Sequence, residues 1–358
     1  MQGIPKTADS PNSFEGVLVR ERGTHRNFVL LLSGQLISKL GSSVYLVAVI
    51  LFIKELTGSP GALGLFQFIA YVPIVLLTPV CGMCADSPYK KHMIVGSDVA
   101  RGAIMILLGV LALRGGLTFP VLLLGTFAVS SFTALFLPSA HALFPEIVAP
   151  GRIRRLNSVR STSLLGANFT GTSLGGAAFV LLGPAVLFIA NGVSFVISAL
   201  PEALIRITPS REKADEQPQE QGCEKDHDSR KILSGKIFKR QLSEIKSHMK
   251  ANPGLGSLLV SYSFVNGLYP PVILSLPFLL ETRYGYGPRL FGVALALLLA
   301  GGGAGALLYG FLPSRDRHNR FLLPAALLAL AFLLALLWPV GTPLYLWCAL
   351  PAAGFAIG

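Results

Sequence analysis

The chain has 358 residues; 52% are hydrophobic and only 13% charged, against about 25% charge in an ordinary soluble domain. So large an apolar share exceeds what one soluble core buries and points to lipid as the solvent. The formal net charge of +12 fits the basic loops of a membrane protein better than nucleic-acid binding.

Residues 1–26 are polar and hold no apolar core of a cleavable signal peptide, so they read as a cytoplasmic N-terminus. A bilayer core of about 30 Å needs roughly 20 apolar residues as helix. Spans are expected at about 28–53, 61–85, 92–113, 118–144, 157–182 and 184–205, then at about 256–280, 288–312, 320–338 and 342–358. Gly/Pro turns separate them, among them "TGSPG" at 57–61, "RGG" at 114–116, "LGP" at 182–184 and "GYGP" at 285–288.

Span 1 places Gln35, Lys39, Ser42 and Ser43 on one face, and Lys39 lies about 16 Å deep, near the midplane. That face reads as the wall of a watery cavity. A cation there favours an anionic or electron-rich substrate; a bond to a neighbouring carboxylate or carbonyl is the alternative. Span 2 ends in Cys81 and Cys84, a CxxC that reads as helix packing rather than redox or zinc chemistry. The break after it crowds Asp86, Lys90 and Lys91 together. Such a cluster can latch a moving interface, or its lysines can simply anchor the topology.

Span 3 carries Asp98 and Arg101, whose i, i+3 spacing allows them to pair, with Asp98 roughly 9 Å from the inner end. Intramembrane charges are costly and usually functional, and a neutralised structural pair is the alternative. Asp98 is the first candidate for proton uptake, with the more peripheral Glu281 second. Gln67 and Asn168 read as interhelical hydrogen-bond formers and His141 as helix packing. In span 5, Gly171, Gly175 and Gly176 permit close helix contact or bending.

Residues 207–255 form the one long polar segment. Its first part reads as flexible linker, and its second sets Ile237, Phe238, Leu242, Ile245 and Met249 along one face of a basic amphipathic helix at the membrane surface. Asn266 and Tyr269 on span 7 and Trp347 on span 10 are further cavity candidates, and Pro270 and Pro271 break span 7 beside them.

With the N-terminus in the cytoplasm, inside segments hold 24 of the 30 Lys and Arg residues and outside loops hold four, a strong positive-inside bias. The stretch "FIKELTGSPGALGLF" (52–66) has an echo in "FLLETRYGYGPRLFGVA" (278–294), which suggests duplicated halves. The expected organisation is a six-helix half at 27–206, the 207–255 linker, and a second half of about four spans at 256–358. A repeated six-span half implies twelve spans, so the chain reads as a fragment with about ten.

The motif Gly82-x-x-Ala85-Asp86-x-x-x-Lys90-Lys91 resembles the signature between spans 2 and 3 of the major facilitator superfamily. Cys84, Ser87 and Tyr89 stand where that signature usually has Leu, Arg and Gly. "SGQLISKLGSS" (33–43), "SDVAR" (97–101) and "PSAHALFPEIV" (138–148) followed by Asn157 resemble the drug-efflux branch that includes macrolide and siderophore exporters. "GTSLGG" (171–176) resembles the antiporter motif Gly-Pro-x-x-Gly-Gly, with Thr172 in place of Pro.

The resemblance implies an all-α integral membrane bundle of two pseudo-symmetric six-helix halves. It implies a monomeric secondary transporter of a bacterial inner membrane that exports small amphipathic molecules by proton antiport. Its partners would be a small-molecule substrate, protons and membrane lipids, with no cofactor, metal or nucleic acid. A lipid or lysolipid flippase or a solute importer is the alternative reading, and a non-transporting receptor or assembly factor the remote one. No HExxH, metal-ligand cluster or nucleophile–base set points to an enzyme.

Overall fold

The computed structural model describes residues 14–85, 89–148, 150–205, 273–282 and 285–311. Its elements are α1 (Phe14–Thr57), α2 (Pro60–Ala85), α3 (Lys90–Leu113), α4 (Phe119–Ile147), a 3-10 turn (Pro150–Arg152), α5 (Ile153–Ala203), α6 (Ile273–Thr282) and α7 (Pro288–Phe311). No strand occurs among the described residues. Among the described residues, five helices are long and apolar enough to cross a bilayer, from His25–Thr57 on α1 to the whole of α5. The expected spans at 320–338 and 342–358, the 207–255 segment and most of span 7 lie outside the described residues.

At 1.5 Å per residue, the 51 residues of α5 would run about 77 Å, more than twice a bilayer core. It does not run straight. Gly183 has φ 75° and ψ 164°, a backbone region essentially reserved for glycine, and Pro184 follows it. The helix therefore divides into two arms, 153–182 and 184–203, close to the two spans expected on either side of "LGP". A different boundary moves at α1. It begins at Phe14 rather than near residue 28, because "VLVRER" contains no breaker and continues the helix ahead of the apolar run.

Packing leaves two apolar clusters with a polar layer between them. One joins Val47, Ile50 and Ile53 on α1 to Leu63, Leu108, Leu122, Phe188, Leu280 and Phe291, drawing in every described α-helix. The second joins Phe28 and Leu31 on α1 to Ile94, Phe136, Leu143, Phe144 and Ile205. Between them along α1 fall the buried Gln35, Ser38 and Ser43; along α3 fall Ser97, Asp98 and Arg101. Side chains such as Phe68, Val75, Leu76, Leu124 and Leu181 point outward, the pattern of a surface that meets lipid.

Small residues fix how closely the helices approach. Gly102 and Gly109 lie two turns apart on one face of α3. A Cβ on Gly102 would stand 2.8 Å from the Gly192 carbonyl oxygen, and one on Gly109 would stand 2.9 Å from that of Ala185. The second arm of α5 therefore meets α3 backbone to backbone. Gly171 meets the Leu40 carbonyl of α1 at 2.8 Å in the same sense, and Gly175 meets the side chain of Val47. Gly176 approaches α7: its Cβ would stand 2.9 Å from the Arg289 carbonyl oxygen and 3.1 Å from the Gly292 nitrogen.

Candidate functional site

The close approach of α3 to the second arm of α5 builds the charged part of the polar layer. Asp98 is fully buried and accepts hydrogen bonds from the Arg101 guanidinium at Oδ1 and from the Ser198 hydroxyl at Oδ2. The expected i, i+3 pair is thus formed, with a third partner from another helix. The Arg101 guanidinium carbon stands over two rings, 4.2 Å from the Phe136 centroid and 4.5 Å from that of Phe195. Cation–π contact in a dry site strengthens its hold. Two buried groups nearby are less satisfied: Arg101 Nε and both carboxylate oxygens of Glu202 have no hydrogen-bond partner among the described residues. Glu202 is only 1% exposed.

The second part of the layer lies where α1 crosses both arms of α5. Arg160 Nε donates to Gln35 Oε1 at 2.7 Å, and the Ser42 hydroxyl lies 3.4 Å from Asn191 Oδ1. The Ser43 hydroxyl lies 2.7 Å from both Asn168 Oδ1 and the Lys39 carbonyl. Three of the four polar residues on this face of span 1 are therefore engaged with α5. Lys39 is half-buried, and none of the described residues pairs with its ammonium group.

Charges at the two ends of the bundle clamp helices together. Lys90, itself buried at the start of α3, donates to Glu146 Oε1 at the end of α4 at 2.7 Å. Asp86 lies outside the described residues, and Lys91 is half-buried. At the opposite end, Lys54 pairs with Glu281 across α1 and α6, donates to the Pro277 carbonyl at 3.1 Å, and stands 5.5 Å from the Phe278 ring. Glu281 is 61% exposed, so solvent screens that pair. Asn266, Tyr269 and Trp347 lie outside the described residues. No group of His, Cys, Asp or Glu suited to a metal ion occurs among the described residues.

Sequence reasoning does not single out Glu202, Ser198, Asn191, Glu146 or Arg160. Glu202 carried a usable signal: it is an acid inside the last turn of an apolar span, in "SALPEALI". The role of Ser198 carried none, because only the packing of α5 on α3 brings it to Asp98.

The sequence profile of the Major Facilitator Superfamily matches residues 31–358. Macrolide efflux protein A of Streptococcus pyogenes is 26% identical over 121 residues, covering 34% of this chain and 30% of that protein. The uncharacterized MFS-type transporter YvqJ of Bacillus subtilis is 24% identical over 299 residues, 83% of this chain and 66% of that one. Matches thus span less than a third of the efflux protein's length and about two thirds of the Bacillus one. Among solved structures, a bacterial homolog of the human lysosomal transporter Spinster, inward-facing and occupied, superposes with a TM-score of 0.66 at 15% identity, covering 98% of this chain and 73% of that one. A bacterial homologue of the iron transporter ferroportin, inward-facing, gives 0.59 at 17% identity, covering 93% and 80%. At those identities the likeness is one of fold.

Proposed function

This chain belongs to the Major Facilitator Superfamily, and from that premise we propose that it exports small amphipathic molecules by proton antiport with alternating access. The family is one of transporters rather than enzymes, and the matched macrolide efflux protein supports the direction and the substrate class. The observation that carries the reading is the polar layer. A buried Asp98–Arg101–Ser198 cluster in otherwise apolar helices is costly, and intramembrane charges of that kind mark ion or substrate pathways. The working orientation has the N-terminus in the cytoplasm of a bacterium and the 207–255 linker on the same side. Asp86, Lys90 and Lys91 then latch the cytoplasmic end, with Glu146 as the partner of Lys90. The protein acts as a monomer in the inner membrane, with substrate, protons and lipids as its partners.

Efflux of a radiolabelled macrolide from proteoliposomes, with and without an imposed pH gradient, tests this reading. Gradient-driven export that collapses with a protonophore is expected. Movement indifferent to the gradient sinks the antiport claim.

Lys39 favours a second reading, in which the cargo is an anionic amphiphile such as a lysolipid. Its half-buried ammonium has no described partner and lies near the middle of the apolar stretch His25–Thr57. Lys39→Ala should then abolish movement of a fluorescent lysophosphatidic acid across proteoliposomes. Unchanged movement removes the anion assignment.

A further inference from the structure

The charged cluster of the polar layer is unbalanced. Among the described residues it holds two buried carboxylates, Asp98 and Glu202, and one buried guanidinium, Arg101. Both oxygens of Asp98 are engaged, one by Arg101 and the other by Ser198. Glu202 sits one helical turn beyond Ser198 on the same face of α5, and neither of its oxygens has a hydrogen-bond partner among the described residues. Gly34 on α1 closes over it: a Cβ at Gly34 would stand 3.0 Å from Glu202 Cγ and 3.2 Å from its Oε1. The glycine leaves room for a carboxyl group and for little else.

Among the described residues, no cation forms an ion pair with it. From α3 come Asp98 and Arg101, and Arg101 is already paired with Asp98. On α1, Arg26 donates to the Leu204 carbonyl at the exposed end, and Lys39 lies five residues from Gly34, on a different face. On the first arm of α5, Arg160 is held by Gln35. On α4, Glu146 is paired with Lys90, and His141 is exposed. Two carboxylates and one guanidinium are electrically neutral in a dry site only when one carboxyl holds a proton. Asp98 accepts two hydrogen bonds that favour its ionised form, and Glu202 accepts none from the described residues.

We propose that Glu202 is the proton-binding residue of this cluster, and that Asp98 is the fixed counter-charge of Arg101. Binding breaks an O–H bond of hydronium and forms one at a Glu202 oxygen; release returns the proton to water on whichever side the cavity opens. When the proton leaves, Glu202 becomes a second acceptor for Arg101, whose Nε has no partner in the present arrangement. Arg101 then bridges α3 to α5 instead of pairing only within α3. Proton occupancy is thereby tied to how those two helices are held. The use of this site in transport rests on the antiport reading above; proton binding itself does not.

Difference infrared spectroscopy of the full chain in liposomes, stepped through pH, tests the site. A carboxylic C=O band should disappear as pH rises. It should shift on 13C labelling of glutamate but not of aspartate, an arm that needs no variant. Glu202→Gln should remove the band. Asp98→Asn should remove it too, because Arg101 is then free to hold an ionised Glu202; a buried acid with a purely structural role would keep its band. No titrating band, a band that follows the aspartate label, or a band that persists in Glu202→Gln overturns the proposal. A Glu202 band beside gradient-indifferent macrolide export supports the site and overturns the antiport reading. Gradient-driven export with a band that survives in Glu202→Gln does the reverse.

Discussion

Asp98 and Glu281 are both acids paired with a cation, and their surroundings make them different objects. Asp98 is sealed between α3 and α5, with Arg101 clamped by two aromatic rings and Ser198 closing the remaining oxygen. Glu281 meets Lys54 at the rim, more than half exposed. Water can replace either partner at the rim and neither partner in the interior. The same type of ion pair is therefore a fixed part of the fold in one place and an adjustable contact in the other.

Arg101→Ala breaks that contrast most severely. It leaves a buried carboxylate without its cation, which should lower stability by about 3–5 kcal/mol in thermal or denaturant unfolding of the detergent-solubilised protein. Asp98→Leu combined with Arg101→Met should recover most of that loss, since replacing a whole buried pair by apolar groups is often neutral. Gly176→Val asks whether the backbone contact of α5 with α7 tolerates change any better than the interior pair does. Its Cβ would meet main-chain oxygens that cannot move aside, and a cost of about 1–3 kcal/mol is expected. Asn168→Ala removes the Ser43 contact between α1 and α5 and should cost about 0.6 kcal/mol, the average for interhelical hydrogen bonds in membranes, and no more than about 1.7 kcal/mol. Glu281→Gln should be the mildest, about 0.2–1 kcal/mol and smaller still in high salt. A Glu281→Gln cost as large as that of Arg101→Ala would erase the distinction.

The sequence reading reaches these sites unevenly, for physical reasons. Helical period alone puts Arg101 one turn from Asp98, so that pair is visible without any fold. Gly171, Gly175 and Gly176 are likewise visible as a small face, although which helix each one meets is not. The partners of Lys54, Lys90 and Asp98 lie 227, 56 and 100 residues away, at Glu281, Glu146 and Ser198. Pairings over such separations are set by which helices cross, and hydropathy reports depth rather than neighbours. Glu202 was legible as an acid within an apolar span; its lack of a partner was not. The break in α5 was legible because "LGP" unites the residue that tolerates φ 75° with the one that cannot continue a helix.

The contact of Gly176 with Gly292 carries a mechanical consequence. Cβ atoms built on the two glycines point into each other's main chain, 2.8 Å from the Gly176 nitrogen and 3.1 Å from the Gly292 nitrogen. Main chain has no rotamers, so α5 and α7 cannot slip past one another by swinging a side chain out of the way. They can part, or they can roll. If they roll, displacement grows with distance from the crossing, as along a lever. Lys54 and Glu281, near the fulcrum, would then travel little. The far ends of α3 and α4, where Lys90 grips Glu146, would sweep the widest arc.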